Sequence, residues 1–229
     1  DAASFDNLLS GYIQVKNLGN DYELGGRAKA DLESVRGNGV HYFEACLFGK
    51  FDISKITINF EGGLQFGTNS NDVSRGGLLL KGEIDYKFDE NYTFKGMVFT
   101  GISKVSYMDL MRMNPYARRS IDVDYVYNTP LIKAMLYYYP LQKIGLSAGL
   151  LFASSDRTPV FDTLHYDSFV LSYERVNQIN LFSEGFYLFS PKDELSYFLG
   201  FDFSTLSRNG NIAPYTPLIR VSLNYEKKM

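Results

Sequence analysis

From Lys55 to Phe66, apolar and polar residues alternate without a break. Ile56, Ile58, Phe60, Leu64 and Phe66 fall on one side, and Lys55, Thr57, Asn59, Glu61 and Gln65 on the other. A period of two belongs to a β-strand, whose successive side chains point to opposite faces. The stretch from Tyr22 to Glu33 reads the same way: Tyr22, Leu24, Ala28, Ala30 and Leu32 oppose Glu23, Arg27, Lys29, Asp31 and Glu33. On a helix these charges would spread around the circumference; on a strand they share one side. Clear alternation also runs from Leu78 to Phe88 with Lys81, Glu83 and Asp85 on the polar side, and from Tyr92 to Ile102. It returns around Asp122 and Asp124, around Asp202, and from Tyr215 to Glu226 with Arg220 among the polar residues. Fainter strands cover Ser10 to Lys16, Val40 to Phe51, Leu131 to Tyr139, Ile144 to Ala153, Leu164 to Arg175 and Gln178 to Phe189.

The breaks carry turn chemistry: Asn38-Gly39, Asn69 to Asn71, Asp89-Glu90-Asn91, Ser190-Pro191-Lys192-Asp193 and Asn209-Gly210. No stretch of helical period interrupts the strands, so the connections are hairpins and the sheet is an antiparallel meander. Roughly thirteen strand candidates cannot stay one flat open sheet, and closure into a barrel would remove the edges.

Alternation alone does not say which face is inside. A soluble barrel hides its apolar side chains, whereas a membrane barrel turns them to lipid around a polar lumen. Three features favour the membrane arrangement. Several strands approach the roughly nine to eleven residues that a tilted membrane strand needs. Tyr86, Phe88 and Tyr92 bracket one turn and Tyr187, Phe189 and Tyr197 another, as interfacial aromatic girdles do. The polar faces mix both signs of charge along their length. The competing reading is a soluble β-sandwich or barrel with an aromatic core; a propeller is disfavoured because no blade-length repeat is present.

Composition narrows the picture further. The 229 residues hold 23 Lys+Arg against 26 Asp+Glu, a formal charge of −3 without the basic footprint of a nucleic-acid binder. With 18 Tyr, 18 Phe and no Trp, the chain is too aromatic for disorder. A single cysteine, Cys46, excludes an intrachain disulfide and any cysteine-rich zinc site. Mean hydropathy is −0.17 and no apolar run reaches the roughly 18 residues of a membrane helix, a test that a β-barrel escapes. Asp1-Ala2-Ala3-Ser4 shows neither the basic start nor the apolar core of a signal peptide, which fits a cytosolic protein or a processed chain.

Leu9-Ser10-Gly11-Tyr12-Ile13-Gln14-Val15, followed by alternating strands to the end, resembles bacterial outer-membrane β-barrel proteins of the porin type. The resemblance implies a single closed transmembrane meander barrel over 1–229, with 1–20 as a lead segment or first strand. Such barrels have an even strand number, here about twelve with fourteen as the alternative. It also implies short periplasmic turns at Asp89 to Asn91 and Ser190 to Glu194, and extracellular loops at Ser103 to Ala117 and Ser207 to Pro214. One departure is the C-terminus, where Tyr225 is followed by Glu226-Lys227-Lys228-Met229 rather than closing the chain with an aromatic.

The chemistry that might sit on this frame is sparse. His165 lies in Asp162-Thr163-Leu164-His165-Tyr166-Asp167-Ser168, but His165 and Ser168 are three apart and so face opposite ways on a strand. A hydrolase would need a partner from another strand, so no enzyme activity is expected. Paired carboxylates such as Glu83 and Asp85 supply too few ligands for a metal, and no cofactor is expected. The better expectation is a lumen lined by Arg27, Lys29, Lys55, Glu61, Lys81, Glu83, Asp85, Asp122, Asp124, Asp202 and Arg220. Those charges would set the selectivity of a passive pore for ions or small polar solutes. The alternative is a non-conducting barrel acting as anchor, adhesin or subunit of an envelope complex. The expected partners are the lipid bilayer and small solutes, with an oligomer or envelope-complex partner left open. The connection from Ser103 to Ala117, with Val105, Met108, Leu110, Met111 and Met113, is unusually apolar for a solvated loop. It would fold inward, dock a partner, or pack on the rim.

Overall fold

The computed structural model describes residues 7–35, 38–69, 71–105, 110, 123–165, 168–214 and 218–227. Eleven strands follow one another: β1 (Asn7–Leu18), β2 (Tyr22–Val35), β3 (Asn38–Ile53), β4 (Ile56–Thr68), β5 (Ser74–Lys87) and β6 (Tyr92–Lys104). They continue as β7 (Tyr125–Leu141), β8 (Ile144–His165), β9 (Ser168–Ser190), β10 (Asp193–Leu206) and β11 (Ile219–Lys227). Every strand pairs antiparallel with its sequence neighbour, in the order β1 to β11. The meander expected from the alternation is therefore present.

Its strand count and closure differ from expectation. The described strands form an open sheet of 11, not a closed barrel of twelve or fourteen, because β1 pairs only with β2 and β11 only with β10. Two pairs of candidate strands are single strands. The run near Asp124 and the one beginning at Leu131 merge in β7, where the ladder passes Thr129-Pro130 through a register shift between Asn128 and Leu131. Proline lacks the N–H that a ladder uses, and a bulge is where a sheet accommodates it. The run from Leu164 to Arg175 likewise joins the next one: β9 crosses Val176 and Asn177 in unbroken register with β10. On the facing strand, the register shifts between Ser155 and Thr158 in a bulge, with Arg157 at φ 57°.

The direction of the faces follows from burial. Leu47, Ile58, Phe60, Leu64, Leu80, Val98, Leu150 and Ile179 are exposed, whereas Asp31, Gln65, Asn180 and Asp202 are buried. Contacts that skip strands show which side is concave. Arg27 of β2 reaches Glu61 of β4 over the intervening β3, and Tyr42 of β3 packs against Tyr125 of β7. The polar face is the inner face of the curve, and the apolar face is its outer wall.

That outer wall has two edges. In one row Phe152, Ile179 and Phe203 stand in register; one step along, Ser154, Asn177 and Thr205 take their place. Ser154 and Asn177 are hydrogen-bonded at 2.9 Å, and Asn177 also donates to Ser207 at 3.0 Å. At the other edge sit Tyr22, Phe51, Tyr86, Tyr92, Tyr138, Tyr187 and Tyr225, with Tyr92 and Tyr138 stacked at 4.5 Å. From Ile179 to Tyr187 is about 26 Å of strand, or about 20 Å along the normal at a ~40° tilt, close to the apolar band of a membrane barrel. β8 and β9, 22 and 23 residues long, run well past the Ile179 row.

Residues 19–21, 54–55, 88–91, 142–143 and 191–192 connect strands at the tyrosine-rich edge, all of them short. At the opposite edge the β2–β3, β4–β5 and β8–β9 connections are also short, and only β6–β7 and β10–β11 are joined by long ones. Most of the long connection expected from Ser103 to Ala117 lies outside the described residues. Its Val105 and Leu110 nevertheless pack with Val40, Tyr42, Ile102, Val123, Tyr125 and Phe161, contributed by β3, β6, β7, β8 and the segment leading into β7. Tyr125 donates its hydroxyl hydrogen to the carbonyl oxygens of His41 at 2.5 Å and Thr68 at 3.2 Å, capping β3 and β4 where their neighbours end. A smaller cluster, Val160, Val176, Leu206 and Ala213, is covered by the β10–β11 connection.

Candidate functional site on the concave face

The concave face of β1 to β6 is an ionic grid set by register. Arg27 pairs across from Cys46, and Lys29 from Glu44. Glu44 in turn faces Gln65, and Glu61 faces Lys81. Neighbouring side chains of opposite sign therefore stand within reach of one another. Arg27 Nη2 donates to Glu44 at 2.7 Å and to Glu61 at 2.9 Å. Lys81 continues the chain to Glu61 at 3.9 Å and Glu83 at 2.9 Å, and Lys95 meets Asp85 at 3.3 Å. Lys29 holds Asp31 at 2.9 Å, and Asp31 also accepts a hydrogen bond from Ser10.

The grid ties into the mouth through Gln65. Its Nε2 donates to Tyr42 Oη at 2.8 Å and to Glu44 at 3.2 Å, while its Oε1 accepts the backbone N–H of Ile102 at 2.6 Å. That N–H needs a side-chain partner because the β5–β6 ladder ends at Leu80 and Thr100, just before the bulge at Gly101.

Beyond β6 the same face changes character. One row carries Tyr137, Ser147, Glu184, Phe198 and Ser222 in direct register across β7, β8, β9, β10 and β11. Glu184 accepts from Ser147 at 3.2 Å. The rings here bind cations of the wall itself: Lys95 lies 5.8 Å from the Tyr137 centroid, Lys133 5.4 Å from Phe182 and Arg220 5.6 Å from Phe198. Phe182 and Phe186 lie flat because Gly149 and Gly145 face them; a Cβ at either glycine would overlap the ring. Asp202 is the one densely partnered acid of this half among the described residues, with Ser204 at 2.6 Å, Gln178 at 2.9 Å and Arg220 and Asn180 at 3.5 Å.

Arg27, Lys29, Glu61, Lys81, Glu83, Asp85, Asp202 and Arg220 thus share the concave face. Two of the expected lumen residues, Lys55 and Asp124, do not join them there. Lys55 lies in the turn after β3 and donates to the Phe88 carbonyl at 2.8 Å, so it belongs to the rim. Asp124 is buried at the far mouth, where it binds Arg157, and its backbone N–H donates to Tyr173 at 3.0 Å. Asp122 lies outside the described residues, as do the side chains of His165 and Ser168. Glu44, Gln65 and Glu184 were missed: each has the polar parity of its strand, but what marks them is the register between strands, which one strand's pattern does not contain. Among the described residues no three His, Cys, Asp or Glu side chains are grouped to hold a metal.

No protein-family model and no curated protein matches the chain. Solved structures do. It is similar to the copper transporter OprC with a TM-score of 0.67 and 10% identity, covering 98% of this chain and 42% of that one. The pyoverdine outer membrane receptor FpvA from Pseudomonas aeruginosa PAO1 gives 0.65 at 10% identity, covering 98% and 39%. The ferric citrate transporter FecA gives 0.58 at 12% identity, covering 98% and 40%. The class is therefore that of the outer-membrane β-barrel, and the outer-membrane location expected from the alternation agrees with it. These matched structures are transporters and a receptor, and the chain spans about two fifths of the length of those barrels.

Proposed function

We propose that this sheet is part of the wall of an outer-membrane uptake barrel that handles a small polar solute by specific contact rather than by passive sieving. One observation carries this reading. The 11 strands do not close on themselves, yet along 98% of the chain they follow the curvature of a transporter barrel more than twice as long. Unpaired strand edges do not persist in hydrocarbon, where each unmet backbone group costs several kcal/mol. In this reading the outer edges of β1 and β11 meet further strands, and a barrel as long as the matched transporter encloses a wider lumen than a twelve-strand pore. The passive, porin-like pore is supported less well. Tyr125, Leu110 and Val123 fill part of the mouth, and the charges of the β2–β6 grid neutralise one another. The grid residues keep the wall rigid and electrically balanced, and no catalytic step or cofactor is assigned. In planar bilayers the full natural protein is expected to give no steady conductance steps in KCl; stable steps at porin frequency would restore passive diffusion.

A further inference from the structure

On the concave face of β7 to β11 a cavity of about 330 Å³ opens between Tyr137, Ser147, Glu184, Phe186, Glu194 and Phe198. That volume lies at the lower end of the range for small-molecule sites, roughly 300–1,000 Å³. Its composition is specific. Glu184 stands in one row between Ser147 and Phe198, with Tyr137 one strand beyond. Glu194 stands on the same face of β10, four residues from Phe198. Among the described residues neither carboxylate has a cation within ion-pair distance, whereas Glu44, Glu61, Glu83 and Asp85 across the wall each have one. The nearby rings at Tyr137 and Phe198 already hold Lys95 and Arg220, which shows that this part of the wall attracts positive charge through its aromatic faces.

From this cavity we infer that the wall carries a subsite for an organic cation: a protonated amine on an apolar body. The ammonium sits at Glu184, hydrogen-bonded to its carboxylate, and the apolar body lies along Phe186 and Phe198, with Glu194 adding a second negative charge. An anion is disfavoured by two unneutralised carboxylates, and a bare metal ion by the lack of a third ligand among the described residues. The subsite rests on the reading that this face lines an uptake lumen, and it names the charge that the solute carries there.

Calorimetric titration of the full natural protein, folded in detergent, with phenethylammonium and with neutral phenethyl alcohol tests it. The ammonium is expected to bind saturably, with the alcohol about tenfold weaker. Glu184→Gln should weaken the ammonium about tenfold and leave the alcohol unchanged, and Phe198→Leu should weaken both. Heat-modifiable migration reports folding; if Glu184→Gln does not fold, Glu194→Gln, expected to give a smaller loss of the same sign, takes its place. Equal binding of both probes, or ammonium binding untouched in a folded Glu variant, overturns the subsite. Conductance on the same preparation separates the two readings: KCl steps with intact ammonium binding sink only the proposed uptake mechanism, and a silent barrel that ignores ammonium sinks only the subsite.

Discussion

The two halves of the concave wall solve the same problem differently. In β1 to β6 many inward positions are charged, and register places opposite signs side by side, so Arg27, Glu44, Glu61, Lys81 and Glu83 form one connected chain. In β7 to β11 the inward positions are largely aromatic, hydroxyl, amide or glycine, and Glu184 and Glu194 are left without a cation among the described residues. Outward, the halves are alike: Leu80 and Leu150 are both exposed in mid-band. The lesson is that a shared lipid-facing pattern conceals two interiors, one satisfied by its own charges and one with carboxylates open to a ligand.

The largest expected effect probes what the halves share. Leu80→Arg and Leu150→Arg each place a charge on the outer wall near its middle, and each should cost about 3 kcal/mol of folding free energy. Urea unfolding of the full natural protein in liposomes, followed by the electrophoretic shift of the folded form, measures it. A near-zero cost in one half would mean that its apolar face is not against lipid.

Next comes the contrast itself. Arg27→Ala leaves Glu44, whose side chain is only 8% exposed, without its main cation, and should cost about 2 kcal/mol, between the surface and buried limits for a broken pair. Glu184→Gln removes no ion pair among the described residues and should shift stability in the urea titration by less than about 0.5 kcal/mol. Equal losses would erase the distinction between a self-satisfied and an available half.

What the alternation made legible was the strand period and the meander, because each depends on neighbours along one strand; the outward direction of the apolar face needed strand length and the placement of the aromatics as well. Less legible were the strand ends. Pro130 and the polar run from Ser154 to Thr158 carry the composition of turns, yet both lie within strands, each absorbed by a bulge in the ladder. Pairings such as Arg27 with Glu44, or Gln65 with the Ile102 N–H, depend on register between strands far apart in sequence. Arg27 was therefore recognisable as an inward charge, while the partner that gives it a role was not. Lys55 shows the converse: its parity was right, but a two-residue turn carried it to the rim.

The smallest effects sharpen the comparison at glycine. In the aromatic half, Gly149 lets Phe182 lie against the sheet, since a Cβ there would overlap Phe182 Cζ and stand 3.0 Å from the Ala134 carbonyl oxygen. Gly149→Ala must lift the ring and should cost about 1 kcal/mol, a modest overpacking penalty. In the ionic half, Gly82 faces outward, and an added methyl would meet nothing within 4 Å. Gly82→Ala should therefore stabilise by about 0.5 kcal/mol, by restricting the unfolded chain without straining the folded one. The same urea titration reads both signs. If Gly149→Ala were as harmless as Gly82→Ala, Phe182 would not be packed on the wall, and the aromatic half would lose the flat surface that separates it from the ionic one.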